Sequence, residues 1–196
     1  MLETEVPAVT AHRAVFLDRD GVVLKLLRSG PIPRPPRSLQ EVEVVEGAEA
    51  ALERLRTAGY LTLVVTNQPD IARGEVDERS VQDIHDMLRS RLPVDAVYYC
   101  PHDNAHQCTC RKPKPGLILR AAEEWGIDLS RSCLIGDRWV DLAAAQAAGI
   151  DGILLETPAS WHPTSVGSPF EGLAPRFTGA TLISCIEFVL SSGRYR

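Results

Sequence analysis

Two carboxylates two positions apart are the first candidates for chemistry in this chain. Asp18 and Asp20 stand in the stretch FLDRDGVV, directly after the apolar run 14–17. Side chains at positions i and i+2 of an extended segment project to the same side, so both carboxylates can address one ligand. Gly21 then lets the backbone turn away. This pattern suits attack on phosphorus by one aspartate and proton transfer to the leaving oxygen by the other.

The stretch GDRWVD contributes a second carboxylate pair, Asp137 and Asp141. A set of carboxylate oxygens suits a hard divalent cation, and Mg²⁺ fits best. Such a cation offsets the repulsion between a carboxylate nucleophile and a phosphate. A transferring phosphoryl group also needs hydrogen-bond donors and fixed positive charge. Two pairs of residues offer these groups: Thr66 with Asn67, and Arg111 with Lys112.

The loop 100–110, CPHDNAHQCTC, carries three thiols and one imidazole that suit a closed tetrahedral zinc site. The candidate ligands are Cys100, His102, Cys108 and Cys110. The spacing is tighter than in an ordinary zinc finger, and a redox pair or unpaired core thiols are the alternatives. His106 lies in the same loop and could compete with His102. A closed site would be structural and would hold the loop that leads into the two cations Arg111 and Lys112.

The surrounding sequence alternates between strands and helices. Short apolar runs predict strands at 14–17, 60–65, 95–99, 132–135 and 152–155, and apolar residues at helical spacing predict helices between them and at 181–190. This alternation predicts an α/β fold, a three-layer Rossmann-like sandwich with a mainly parallel sheet and no large cap domain. Ligands of such sheets bind beyond the carboxyl ends of the strands. We therefore expect Asp18, Thr66 and Asp137 to converge on one crevice.

Length, charge and hydropathy restrict the class of protein. The 196 residues suit a single domain spanning 1–196. The net charge of −5 gives no general attraction to nucleic acid or acidic membranes. No apolar run approaches the roughly 20 residues that cross a bilayer, and the N-terminus lacks a secretory pattern. We expect a cytoplasmic monomer with a small phosphorylated substrate and no nucleic-acid or membrane partner.

Four stretches, in this order, resemble the haloacid dehalogenase superfamily of aspartate-nucleophile phosphatases over residues 14–155. They are FLDRDGVV, VVTNQPDIARG, YYCPHDNAHQCTCRKPKPG and GDRWVDLAAAQAAG. They are similar to the small cap-poor branch that contains D-glycero-D-manno-heptose 1,7-bisphosphate 7-phosphatases and histidinol-phosphate phosphatases. The resemblance implies a magnesium-dependent phosphomonoesterase that forms a phospho-aspartate intermediate. RKPKPG favours a heptose bisphosphate over histidinol phosphate as substrate.

The resemblance also implies a role for each matching residue. Asp18 would be the nucleophile and Asp20 the general acid and base. Asp18, Asp137 and the Asp20 backbone carbonyl would hold Mg²⁺, and Asp141 would support the metal's waters or Lys112. His102, the histidine of the CPH triplet, would complete a structural Zn²⁺ site. Phosphate and substrate contacts would come from Thr66, Asn67, Arg111, Lys112 and Arg138. A zinc-stabilised module that binds phosphosugars without turnover is the alternative of another class, and the intact pair Asp18 and Asp20 argues against it.

Two features depart from the family's pattern. Position 70 is Asp where these enzymes commonly carry Gly or another small residue, and the proline-rich loop 28–38 is longer than usual. The loop is either a basic lid that meets an anionic substrate or a solvated connector. Both features lie near the expected substrate entrance, so the sequence does not decide which sugar is the substrate. His12 and His85 are predicted to lie on the surface.

Overall fold

The computed structural model describes residues 11–28, 33–157 and 172–195. Its centre is one six-stranded sheet in which every strand pair is parallel. The strands are β1 (Ala14–Leu17), β2 (Leu61–Asn67), β3 (Ala96–Cys100), β4 (Cys133–Gly136), β5 (Asp151–Leu155) and β6 (Phe177–Gly179). They are ordered β3-β2-β1-β4-β5-β6, so β1 lies between β2 and β4. The predicted fold class is confirmed, and no second domain covers the sheet within the described ranges.

Alternate residues of a strand point to opposite faces of the sheet, so buried strands place apolar side chains on both faces. Helices cover each of these faces. The helices are α1 (Ala48–Thr57), α2 (Pro69–Ala72), α3 (Glu78–Arg91), α4 (Gly116–Trp125), α5 (Trp139–Ala147) and α6 (Leu182–Ser191). Leu17 of β1 belongs to the core cluster that includes residues of α1, α3 and α6. Its neighbour Phe16 belongs to the opposite cluster, with residues of α4 and α5. The first strand is therefore buried on both faces, and its carboxyl end opens at the middle of the sheet edge.

Two elements were not predicted from the sequence. β6 has three residues and α2 has four, and both are too short for a hydrophobic period to be recognised. The longer elements begin and end at recognisable signals. Asp77 accepts a hydrogen bond from the Ser80 N–H at the start of α3, and Gly126 ends α4 with a positive φ of 59°. Within the described part of the chain, no helix combines the length and apolar character needed to cross a membrane.

Candidate active site

The carboxyl ends of β1, β2 and β4 and the loop after β3 surround a cavity of about 670 Å³. Its walls carry all the predicted catalytic and substrate residues, together with the supporting Asp141: Asp18, Asp20, Thr66, Asn67, Arg111, Lys112, Arg138 and Asp141. Asp137 is fully buried beside them. A larger cavity of about 890 Å³ is lined by none of these residues, so size does not identify the site. The expected convergence follows from a parallel sheet, which brings its strand ends to one edge.

A buried lysine connects the cavity's carboxylates. Lys112 Nζ lies 2.9 Å from Asp18 Oδ1 and 2.6 Å from Asp141 Oδ1, and it donates a hydrogen bond to the Val65 carbonyl at 2.8 Å. Burial acts to lower the pKa of Lys112, but the adjacent charges of Asp141 and Asp18 outweigh it and raise this pKa. Lys112 is therefore a fixed positive charge directly beside the predicted nucleophile.

Three carboxylates form a cluster that fits a hard divalent cation. Oxygens of Asp18, Asp137 and Asp141 lie within 4.8 Å of one another. Both carboxylate oxygens of Asp137 are buried and accept no hydrogen bond from the described residues. Burial, followed by the charge of Asp18, raises the pKa of Asp137 to about 8, and burial raises that of Asp141 to about 6. A buried unpaired carboxylate is costly, and oxygen-binding Mg²⁺ is the kind of group that satisfies it.

Position 21, which follows Asp20 in the turn after β1, must be glycine. Gly21 has a φ of +93°, and a Cβ there would lie 2.3 Å from Asp137 Oδ2. Any side chain would therefore displace the Asp137 carboxylate from the cluster. The turn that carries Asp18 and Asp20 is built around this carboxylate.

The four residues of the cysteine loop form a second candidate metal site. The three sulfur atoms of Cys100, Cys108 and Cys110 lie 3.2–3.6 Å apart. His102 Nδ1 lies 3.6 Å from the Cys100 sulfur and 3.4 Å from that of Cys110. Zn–S bonds of 2.3 Å in a tetrahedron place sulfurs about 3.8 Å apart, so the donor set fits a closed zinc site. His106 instead bonds to Asp103, which leaves His102 as the imidazole of the cluster.

Short contacts connect the cysteine loop with the cavity. Arg111 donates to Asn104 Oδ1 at 2.9 Å and to the His102 carbonyl at 3.3 Å. Asn67 accepts from the Lys112 N–H and donates to the Lys112 carbonyl, each at 3.0 Å. Both ends of the Asn67 amide therefore hold the backbone of Lys112. Asn67, predicted to contact the substrate, lines the cavity, and in this structure its amide binds the backbone of Lys112.

Arg19 and Gln68 bind the Asp20 carboxylate, and sequence reasoning missed both. Arg19 Nε donates to Asp20 Oδ1 at 3.0 Å, and Gln68 Nε2 donates to Oδ2 at 2.7 Å. Arg19 is fully buried, and Gln68 is 2% exposed. A charged residue between two aspartates carries no sequence signal of burial, yet the Arg19 side chain is fully buried.

His85 is buried, so the prediction of a surface position was wrong. It is 6% exposed, and its Nε2 lies 3.0 Å from Arg19 Nη1. Burial, followed by the charge of Arg19, lowers the pKa of His85 to about 3. The missed signal was helical spacing, because Val81, His85 and Leu88 share one face of α3. His12 is exposed, as predicted.

We expect His85 to make stability depend on pH. The unfolded chain binds a proton on this histidine below its ordinary pKa of about 6.5, and the folded chain does so only near 3, so stability falls as pH falls between them. Between pH 7 and pH 5 the wild type should lose about 2 kcal/mol more than His85→Gln, measured by urea unfolding. His12→Gln, at an exposed position, should behave as wild type. Equal losses in wild type and His85→Gln would contradict the assignment.

The described part of the proline-rich loop is tied to the cavity wall by ion pairs. Arg34 bonds to Glu41, with Nη2 at 2.6 Å from Oε1. Arg37 bonds to Asp70 through both Nε and Nη2, at 3.0 and 2.8 Å, and also to Glu75. These arginines are therefore neutralised by carboxylates of the protein. The unusual Asp70 therefore holds the described part of the loop together with Glu41 and Glu75.

We expect Asp70→Gly to weaken substrate binding more than turnover. The change removes one of the two carboxylates that bind the Arg37 guanidinium and leaves Glu75, and loss of about 1 kcal/mol of ordering in this wall raises KM about fivefold. We expect kcat to stay within about twofold, because Asp70 touches none of the predicted catalytic groups. Glu187→Ala removes the ion pair with Arg54 away from the cavity and should leave KM unchanged. Steady-state kinetics of both variants checks this, and an unchanged KM in Asp70→Gly would contradict it.

The sequence is similar to known phosphatases. A family model described as HAD-hydrolase-like matches residues 109–164. The D-glycero-β-D-manno-heptose-1,7-bisphosphate 7-phosphatase of Vibrio cholerae serotype O1 is 39% identical over 152 residues, 71% of this chain and 78% of that relative. The corresponding α-anomer enzyme of Photorhabdus laumondii is 33% identical over 165 residues, covering 78% of this chain and 86% of its own.

The fold is similar as well. The crystal structure of D,D-heptose 1,7-bisphosphate phosphatase from B. bronchiseptica, complexed with magnesium and phosphate, has a TM-score of 0.76 at 31% identity. The match covers 92% of this chain and 99% of that one. The chain is therefore an enzyme, a phosphatase that belongs to the haloacid dehalogenase superfamily and resembles the heptose bisphosphate phosphatases within it.

Proposed function

We propose that the protein hydrolyses the 7-phosphate of D-glycero-D-manno-heptose 1,7-bisphosphate through a phospho-aspartate intermediate on Asp18. The observation that carries this proposal is the convergence of Asp18, Lys112 and the unpaired carboxylate of Asp137 at one cavity. The names of the relatives support the choice of a heptose bisphosphate. RKPKPG, the stretch that leads out of the cysteine loop, supports it as well.

The geometry of Asp18 suits nucleophilic attack. Its Oδ1 accepts from the Arg19 N–H at 2.8 Å and pairs with Lys112. No described residue donates to Oδ2, which is therefore the oxygen that attacks. A bond forms between Oδ2 and phosphorus while the bond from phosphorus to the sugar oxygen breaks, and Asp20 gives that oxygen its proton. Lys112 and the Thr66 hydroxyl stabilise the charge on the phosphoryl oxygens.

The second half of the reaction restores the enzyme. Asp20, now a carboxylate, takes a proton from water as the water attacks phosphorus, and the bond from phosphorus to Asp18 breaks. Inorganic phosphate leaves, and both aspartates return to their initial state. Arg111 and Arg138, at the wall of the cavity, contact the rest of the substrate.

We propose Mg²⁺ for the carboxylate cluster, held by Asp18, Asp137 and the Asp20 backbone carbonyl, with Asp141 in support. When bound, it supplies positive charge that reduces repulsion between the nucleophile and the phosphate. We propose Zn²⁺ for Cys100, His102, Cys108 and Cys110, with a structural role. The cytoplasmic location, the monomeric state, the single domain and the absence of a nucleic-acid partner remain predictions from the sequence.

Phosphate release from a substrate panel tests the function. The panel holds the α and β anomers of the heptose 1,7-bisphosphate, histidinol phosphate and hexose phosphates, assayed with Mg²⁺. The relatives include enzymes named for each anomer, so both are needed. We expect kcat/KM on one heptose anomer to exceed that on every hexose phosphate by at least about 100-fold, about 3 kcal/mol of transition-state discrimination. Faster release from histidinol phosphate, or no release from any ester, would contradict the proposal.

A further inference from the structure

We propose that Arg19, Gln68 and His85 form a buried positioning network that fixes the Asp20 carboxylate for proton transfer. The inference rests on the proposed function, in which Asp20 is the general acid and base. It concerns residues that lie behind the reacting groups. The network connects β1, the end of β2 and the outer helix α3 at the base of the cavity.

The donors and acceptors of this network fit only one arrangement. An arginine can only donate, so Gln68 Oε1 must face Arg19 Nη2, from which it lies 2.9 Å away. The Gln68 NH₂ group then faces Asp20 Oδ2 at 2.7 Å and Thr66 Oγ1 at 2.9 Å. Exchanging the two ends of the amide would place an oxygen against a carboxylate and a nitrogen against a guanidinium. Gln68 is therefore locked by charge on both sides.

The same argument fixes the state of His85. Arg19 Nη1 donates, so His85 Nε2 accepts and the ring is neutral with its proton on Nδ1. The lowered pKa of His85 agrees with a ring that stays neutral at working pH. The ring also lies beside the Tyr99 ring, with centroids 5.1 Å apart, which limits its rotation. His85 thus gives the guanidinium a partner at the end away from Asp20.

The network holds Asp20 and leaves it room to react. Arg19 and Gln68 occupy one site on each carboxylate oxygen, and a carboxylate has about four such sites. The remaining sites lie open to the cavity, which Asp20 lines. Thr66 Oγ1 accepts from Gln68, so its own proton is free to point elsewhere and donate to a phosphoryl oxygen. One set of contacts therefore orients both the acid and a phosphate donor.

Dependence on the leaving group separates this role from a packing role. A general acid matters most when the leaving oxygen is basic, so its loss slows phenyl phosphate much more than p-nitrophenyl phosphate. The parameter is kcat/KM, which covers the steps up to departure of the leaving group. We expect His85→Leu to lower kcat/KM by about 10- to 100-fold on phenyl phosphate and by less than about threefold on p-nitrophenyl phosphate. His85→Gln keeps an acceptor for Arg19 and should restore most of the loss.

Matched variants keep the test decisive. Gln68→Met preserves volume but removes both amide donors, so it should reproduce the selective loss if His85→Leu does not fold. Ile84→Val alters packing at a buried neighbour on α3 and should leave the ratio of the two substrates unchanged. In an Asp20→Asn background, His85→Leu should cause no further loss, because the network acts through Asp20. Equal losses on both substrates, or full additivity with Asp20→Asn, would overturn the inference.

Asp20→Asn alone separates this inference from the proposed function. If it lowers activity equally on both esters, Asp20 is not the acid, and the part of the proposed function on which the network rests fails. If it is selective and the folded His85 and Gln68 variants are not, only the network is refuted.

Discussion

Asp18→Asn is expected to lower kcat/KM on the heptose bisphosphate by at least about 10⁴-fold while the protein remains folded. The amide cannot form the phospho-aspartate. It also weakens the ion pair with Lys112, but Lys112 keeps Asp141 at 2.6 Å. The variant also has one negative charge fewer among Asp18, Asp137 and Asp141. The reduced repulsion between these residues offsets part of the lost attraction to Lys112. Phosphate release and thermal unfolding, measured on the same preparation, check both expectations.

The matched control for this variant is Asp86→Asn, an exposed carboxylate on α3 that should leave activity unchanged. Asp18→Asn retaining more than about a tenth of wild-type activity would show that the nucleophile lies elsewhere. Loss of folding in Asp18→Asn would instead show that Asp18 is needed for stability.

Cys110→Ser is expected to lower both the free energy of unfolding and the activity, although no atom of Cys110 lines the cavity. Removing one of the four proposed Zn²⁺ ligands should weaken binding of the metal, and metal binding of this kind stabilises the folded loop. Arg111 and Lys112 follow directly in the chain, so the loop's displacement moves the cation beside Asp18. A shift of about 1 Å in such a group costs about 100-fold in kcat/KM.

The control is Cys185→Ala, a buried thiol that lies outside the cluster. It should lose a little stability through packing and keep its metal content and activity. Metal analysis, urea unfolding and kinetics of both variants give the comparison. Cys110→Ser with unchanged zinc content and activity would refute the structural site, and wild-type protein without zinc would return the redox pair to consideration.

The candidate active site lies at one edge of a parallel sheet, and no large cap covers it within the described ranges. In its place, residues from the described part of the proline-rich loop, 33–38, line the cavity, and Asp70 binds Arg37 of this part. The side chains of Asp18 and Asp20 are 11% and 12% exposed, so solvent reaches the cavity. This is consistent with a hydrolase, which needs water for the second half of its reaction.

The fold class and the chemical groups of the site follow from the amino-acid sequence. Strands buried on both faces read as short apolar runs, and a parallel sheet must bring their carboxyl ends to one edge. That rule alone predicts that Asp18, Thr66 and Asp137 lie together. The cysteine cluster was also predictable, because its candidate ligands are close in the chain.

How these groups are held depends on contacts between residues that are distant in the chain. His85 and Arg19 are 66 positions apart, and Arg37 and Asp70 are 33 apart, so no local pattern connects them. Buried polar contacts also lack the periodicity that reveals a core. Hydrophobic patterning specifies which elements form and which face they bury, because apolar burial does not depend on direction. Hydrogen bonds between distant polar groups depend on distance and angle, and those exist only once the sheet has formed.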